Sequence, residues 1–145
     1  MRCLLQRVTE AAVMVEGAVV GEIGKGLLVF VGIQPSDDAL IVERTAERLL
    51  NYRVFSDAMG KMNLNVVQAE GSILLVSQFT LAADTFSGNR PGFSTAASPE
   101  QASQLFGDLT AALLGSPAPV ETGVFGADMQ VSLVNDGPVT FLLEI

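Results

Sequence analysis

Two polar clusters carry the side chains with which this chain can do chemistry. Ser77-Gln78-Phe79-Thr80-Leu81 follows directly on the apolar run 73–76, and Asn135-Asp136-Gly137-Pro138-Val139-Thr140 lies near the end. No histidine occurs in the 145 residues. That removes a hydroxyl or thiol nucleophile activated by imidazole, and any metal site built on histidine. A single cysteine, Cys3, excludes an internal disulfide and a cysteine zinc cluster. Asp37, Asp38 and Asp57 do not form a spacing suited to a carboxylate-bound cation, and capping or solvent exposure accounts for them. Residues 21–26 are too short for a phosphate loop, and their three glycines suit hairpin turns. No cofactor or metal is expected. Hydroxyls, an amide, backbone groups or the substrate itself must then supply the chemistry.

Each cluster has a plain structural reading beside the chemical one. Polar groups at the end of a buried strand either shape a pocket or satisfy the strand's terminal backbone groups. Thr80 as a nucleophile needs a base, and none stands near it in sequence. Phe79 reads as core or pocket wall. Pro138 lacks a ladder donor, so it belongs at an edge or turn. On local chemistry an ordinary trans proline is expected there. A cis bond fixed by tertiary contacts is the alternative, with its carbonyls free to meet a ligand amine.

The elements that must position these clusters are legible in part. Residues 2–8 read as a strand, and Glu16-Gly17 as a hairpin turn between flanking strands. Residues 27–31 form an apolar run typical of a central strand. Ser36 is the expected N-cap of a helix with Asp37 and Asp38 in its first turn. Residues 52–55 read as a short extended segment, and 64–67 and 72–76 as strands paired across Gly71. A long polar loop at 82–97 precedes the clearest helix start. There Ser98 caps, Pro99 takes the first position, and Gln101 occupies the capping-box position. Strands at 120–124, 130–133 and 139–145 complete the chain. The pattern predicts an α/β fold of α+β character, with a curled, barrel-like, mostly antiparallel sheet packed against two main helices.

Residues 1–145 fit one domain. Hydrophobic residues make up 49% of the chain, and charged residues only 17%, a sparse surface that points to an oligomer or else to a Gly- and Ser-rich exterior. The net charge of −8 excludes a uniformly basic nucleic-acid face. All eight basic residues lie at or before Arg90, whereas residues 91–145 hold six acids and no cation. A local phosphate site fits this distribution; extended contact along DNA or RNA does not. Lys61 and Arg90, both in polar loops, are the expected phosphate contacts. Cys3 sits in an apolar strand-like segment, so a buried thiol and a reducing compartment are expected. Arg7 and Glu10 interrupt any signal-peptide core, and no apolar run is long enough to span a bilayer. Cytoplasmic location without membrane contact is the expectation.

The two clusters, in this order and at these places, resemble the two signatures of the D-aminoacyl-tRNA deacylase family, formerly called D-tyrosyl-tRNA deacylase. The resemblance runs from residue 1 to residue 145 and includes Gln6-Arg7-Val8, Phe55-Ser56-Asp57, Gly60-Lys61-Met62-Asn63, Arg90-Pro91 and Ala127-Asp128-Met129. Where the family commonly has Ser-Phe after Arg-Pro, this chain has Gly92-Phe93.

The resemblance implies a homodimer that hydrolyses the ester joining a D-amino acid to the 3′ end of tRNA, and that also removes mischarged glycine from tRNA-Ala. It implies that Ser77, Gln78, Phe79 and Thr80 frame the ester, with backbone amides near Phe79 and Thr80 facing the oxyanion. It implies a cis Gly137-Pro138 bond that enters the partner's site, holds the substrate amino group by its carbonyls and excludes an L side chain. Asn135, Val139, Thr140, Arg7 and Met129 are the implied supports. Assistance by the 2′-hydroxyl of the terminal adenosine ranks above Thr80 as covalent nucleophile. Two other readings remain at this stage: a non-catalytic RNA-end or protein-interaction module, and a general small-substrate esterase. A trans Pro138 facing solvent favours the module.

Overall fold

The structure, a computed structural model, describes residues 1–145. The chain opens with a 14-residue strand, β1 (Arg2–Val15), which turns at Glu16-Gly17 into β2 (Ala18–Ile23). Both turn residues have positive φ, 50° and 81°, the twist that suits a two-residue hairpin. Next come β3 (Gly26–Gly32), α1 (Ala39–Asn51) and a small hairpin of β4 (Phe55–Ser56) and β5 (Met62–Leu64). β6 (Ser72–Ser77) ends in a 3-10 turn, Phe79–Ala82. The chain finishes with α2 (Pro99–Leu114), β7 (Val120–Thr122) and β8 (Gln130–Glu144).

β1 organises the sheet. Its first half pairs antiparallel with β3 and its second half with β2, while β8 runs antiparallel along its other edge. β6 joins β3 in parallel, and β7 joins β6 in parallel. β2 bends back over β6 and β7, so the sheet nearly closes on itself. The result is the expected curled sheet with two helices.

β3 shows why its sequence is apolar without alternation. Leu27, Val29 and Val31 face the larger core beneath α1 and α2, while Leu28 faces a smaller core inside the curl with Val8, Val13 and Leu74. A strand buried on both faces has no polar side to declare itself. The helices supply Leu49, Leu109 and Leu113, all fully buried. Each such leucine contributes about 1.5–3 kcal/mol through removal from water.

Four sequence expectations need correction. The α1 cap is Asp38, whose Oδ1 accepts from Ile41 N at 3.0 Å, not Ser36. Asp37 is instead buried, where it accepts from the Met1 α-ammonium at 2.7 Å and from Gln34 N at 2.7 Å. Gln101 does not close a capping box. Ser98 Oγ does accept from Gln101 N, at 3.3 Å, but the Gln101 amide reaches across to the carbonyls of Pro35 and Asp37. Residues 64–67 do not pair with 72–76: β5 pairs with β4, and β6 takes the distant partners β3 and β7. Finally, the strands expected at 130–133 and 139–145 are one 15-residue strand, β8, held through its Gly-Pro interruption by β1.

Candidate active site

The first polar cluster is built by the end of β6. Val31 pairs with Ser77, and Gln78 N donates to Val31 O at 2.8 Å, so the strand holds register up to the last residue before the turn. The chain then tightens into Phe79–Ala82, with Leu81 N donating to Gln78 O at 3.2 Å. The turn packs directly on β3 at Gly32. A Cβ there would lie 2.8 Å from Leu81 Cβ and 3.1 Å from Gln78 O, so only glycine admits this approach. From the other side Arg2 Nη1 donates to Leu81 O at 3.1 Å, and Arg2 also forms an ion pair with Glu144 at 3.1 Å. The Gln78 side-chain amide donates to Thr80 Oγ1. Phe79 and Thr80 open this turn, so their backbone N–H groups have no acceptor within it. They are the orphan donors of a helical turn.

A cavity of about 720 Å³ opens beside this turn. Ser77, Gln78 and Phe79 lie on it; Thr80 stands outside its lining, exposed to solvent. Phe93, packed on Phe79 at a centroid distance of 5.1 Å, and the 96–99 approach to α2 form one wall. Phe125, Gly126, Ala127 and Met129 form the other. Met129 is thus placed at the cavity, with its sulfur packed against the backbone of Gly123. No side chain lining the cavity is ionisable. The walls at Phe93 and Phe125 escaped the sequence reading. The one signal for Phe125 was its place beside Gly126, where φ of +74° marks a turn.

The second cluster lies elsewhere on the same chain. The Gly137-Pro138 bond is cis, against the local expectation and as the resemblance implies. Both residues are exposed, and neither lines the cavity. The surrounding groups hold the loop firmly. Asn135 Oδ1 accepts from Val139 N at 2.7 Å, and Asn135 Nδ2 donates to Thr140 Oγ1 at 2.9 Å. Gln6 adds a bond to Thr140 Oγ1 at 3.3 Å. Arg7 Nε donates to Asp136 O at 2.9 Å and pairs with the Asp136 carboxylate at 3.3 Å, while its Nη1 donates to Val54 O at 2.7 Å. Arg7 therefore couples the loop to the β4 region and has no place at the cavity.

Lys61 and Arg90 are exposed, form no ion pair and do not line the cavity. Lys61 sits in the β4–β5 turn. There Asp57 accepts from Met59 N, Lys61 N and Asn63 Nδ2, bonds that hold its carboxyl below the usual range, with Asn63 first among them. Cys3 is fully buried as expected, and desolvation pushes its thiol up to about 12.

Known proteins match the chain along its whole length. The family model for D-Tyr-tRNA(Tyr) deacylase matches residues 4–144. A D-aminoacyl-tRNA deacylase of Citrobacter koseri is 58% identical over 145 residues, covering all of both chains. One of Ectopseudomonas mendocina is 59% identical with the same coverage. Among solved structures, a c-Myc DNA unwinding element binding protein superposes with a TM-score of 0.94 at 40% identity, over 100% of this chain and 99% of that one. A probable eukaryotic D-amino acid tRNA deacylase shares the fold, with a TM-score of 0.86 at 17% identity over 99% and 98% of the two chains. With its sequence matched end to end, the chain belongs to the D-Tyr-tRNA(Tyr) deacylase family.

Proposed function

We propose that the chain uses the deacylase activity of its family as a chiral filter. It hydrolyses the ester of D-aminoacyl-tRNA, accepts glycine on tRNA-Ala, and spares L-aminoacyl-tRNA. The carrying observation is the separation of the two clusters: a cavity without an ionisable group, and a firmly braced, exposed Gly137-Pro138 that does not belong to it. A second copy of the chain brings them together. In that homodimer the Gly137 and Pro138 carbonyls of one subunit accept from the substrate ammonium in the other. The loop then fills the space an L side chain needs.

The chemistry suits such a site. An aminoacyl ester is already activated, so orientation and a stabilised oxyanion carry most of the catalysis. The N–H groups of Phe79 and Thr80, at the open start of the turn, are the donors for that oxyanion. Ser77 and Gln78 orient the ester beside them. Thr80 Oγ1 already accepts from Gln78 and has no base to deprotonate it, which supports the 2′-hydroxyl of the terminal adenosine as the assisting group. A backbone wall rejects an L side chain by several kcal/mol, whereas pockets separate similar apolar side chains by only about 1–3 kcal/mol. The enzyme is thus strict about chirality and lenient about the side chain.

One solved relative is described as a DNA-element binding protein. The net charge of −8 and the absence of any cation in residues 91–145 disfavour duplex binding here and favour contact with the acceptor end alone. The same chemistry belongs in the cytoplasm, where charged tRNA is found.

The test is hydrolysis of D-aminoacyl-tRNA by mixed subunits. Ala127→Trp fills the cavity and Gly137→Ala displaces the loop, so each variant alone is strongly impaired, the second by up to about 10²-fold. Mixing them with subunit exchange restores one intact site per heterodimer. Recovery of about a quarter of the wild-type rate is expected from an equal mixture, since random exchange makes roughly half the dimers mixed and each mixed dimer of this isologous pair has one intact site of two. No recovery overturns action in trans, and an inactive wild type overturns the substrate.

A further inference from the structure

We propose that Phe86 is a stacking platform for an unpaired nucleotide of the tRNA acceptor end, just 5′ of the aminoacylated adenosine. The inference rests on the deacylase reading above, and adds to it a second contact with the RNA outside the cavity.

Phe86 is 98% exposed. It packs against no aromatic ring and joins neither apolar core. Yet the loop that presents it is built. The backbones of Asp84 and Gly92 bond to each other in both directions, at 2.8 and 2.9 Å, and close residues 85–91 into one excursion. Asp84 Oδ1 accepts from Phe86 N at 3.0 Å, which sets the first bend, and Gly88 reverses the chain at φ +73°. Gly92, at the place of the commoner serine, is a ladder partner here and not a point of left-handed backbone.

Both ends of the excursion are rooted in the candidate site. On one side is the Phe79–Ala82 turn; on the other is Phe93, whose ring packs on Phe79 in the cavity wall. Thr95 Oγ1 ties the returning segment to Ala82 O. A polymer whose last residue occupies the cavity can leave past this rim, where Phe79 and Phe93 are both partly exposed.

The chemistry of the tip selects nucleic acid over a second protein copy. Phe86 stands among Thr85, Ser87, Asn89 and Arg90, all exposed. A protein interface surrounds its aromatic anchor with further apolar surface, whereas the residues beside Phe86 at the tip are polar and the exposed rings of Phe79 and Phe93 belong to the cavity rim. A single ring with a free cation on the same loop matches instead an unstacked base and its phosphate. Arg90 is the last cation in the chain and has no acidic partner. Stacking tolerates any base, so the platform adds affinity for the acceptor end without choosing the tRNA.

The experiment compares D-aminoacyl-tRNA with D-aminoacyl-adenosine, which lacks every upstream nucleotide. Phe86→Ala, at a position that buries nothing, should raise KM for the tRNA by about 5- to 100-fold. It should leave kcat, and both constants for the short substrate, unchanged. Phe86→Trp should keep the wild-type KM, and Phe86→Leu should not. Unchanged tRNA KM in Phe86→Ala overturns the proposal. Equal losses on both substrates overturn it too, since the loop would then act on the cavity. A shift of oligomeric state in sedimentation by Phe86→Ala would assign the ring to a protein contact instead. The fluorescence of 2-aminopurine placed 5′ of the terminal adenosine in uncharged tRNA gives a readout independent of catalysis. Quenching by wild type and not by Phe86→Ala is expected even if hydrolysis fails, and equal signals overturn the platform.

Discussion

Gly137→Ala places one methyl group where the structure has no room for it. Gly137 has φ of +144°, a region L side chains rarely enter. The new Cβ would lie 2.6 Å from Val139 Cγ2, 2.9 Å from Val139 N and 3.3 Å from Arg7 Nη2. Val139 N cannot retreat freely, because it donates to Asn135 Oδ1 at 2.7 Å. The backbone conformation costs about 1–3 kcal/mol for a residue with a side chain. Loosening the Asn135 bond adds about 0.5–1.5 kcal/mol. A loss of roughly 2–4 kcal/mol lowers the midpoint of thermal unfolding by roughly 5–12 °C in a chain of this size. The loop also shifts by a good fraction of an ångström, and misplacement on that scale costs up to about 10²-fold in rate. The assay is kcat/KM on D-aminoacyl-tRNA at a temperature well below both midpoints, beside a calorimetric scan. Binding of uncharged tRNA should be unaffected. A variant with wild-type midpoint and wild-type kcat/KM would refute the reasoning.

Other outcomes follow from individual contacts. Asp37→Ala strips the buried Met1 ammonium of its carboxylate partner at 2.7 Å, so calorimetry should show a loss of about 3–5 kcal/mol. Cys3 has its thiol pKa raised to about 12, above that of the unfolded chain, so the folded form keeps a proton the unfolded form releases. That contribution is complete below about pH 8.5 and is lost as pH rises toward 12; Cys3→Ala should flatten the alkaline fall in denaturation midpoint over this window. Lys61→Ala and Arg90→Ala should each weaken tRNA binding for all charged amino acids alike and reduce the salt slope by about one phosphate's share, with the D/L ratio intact. Activity should survive exhaustive chelation, because the chain has no histidine and one buried cysteine; a loss restored by a single metal would contradict this.

How much the sequence disclosed depended on where the determining contacts lie. The start of α2 was legible because Ser98 and Pro99 act within one turn. β3 was legible because burial on both faces leaves an uninterrupted apolar run. β8 was not, because Gly137 and Pro138 locally read as a break, and only pairing with β1 from Met14 to Arg2 carries the strand through. The length of β1 was masked in the same way by Thr9 and Glu10, whose exposed polar side chains read as the end of a strand over 2–8. β6 read as half of a hairpin because sequence shows only near neighbours, whereas its partners are β3 and β7. The role of Asp37 was hidden because its partner is the distant Met1 ammonium. In the candidate site the motif residues were named from resemblance, and the fold brings Ser77, Gln78, Phe79 and Met129 to one cavity. Thr80 and the Gly137-Pro138 pair lie outside it; the wall at Phe93 carried no local signal, and that at Phe125 only its neighbour Gly126.

The most direct measurement sets one tRNA charged with the D form of an amino acid against the same tRNA charged with the L form, at equal concentrations, and follows both esters in time. A backbone wall worth about 4 kcal/mol predicts a kcat/KM ratio near 10³ in favour of D, with glycine cleaved beside it. Similar ratios should hold for several side chains, since in the proposed site the loop meets the ammonium and the space an L substituent would need, not the D side chain. Equal rates on the D and L esters would contradict the account.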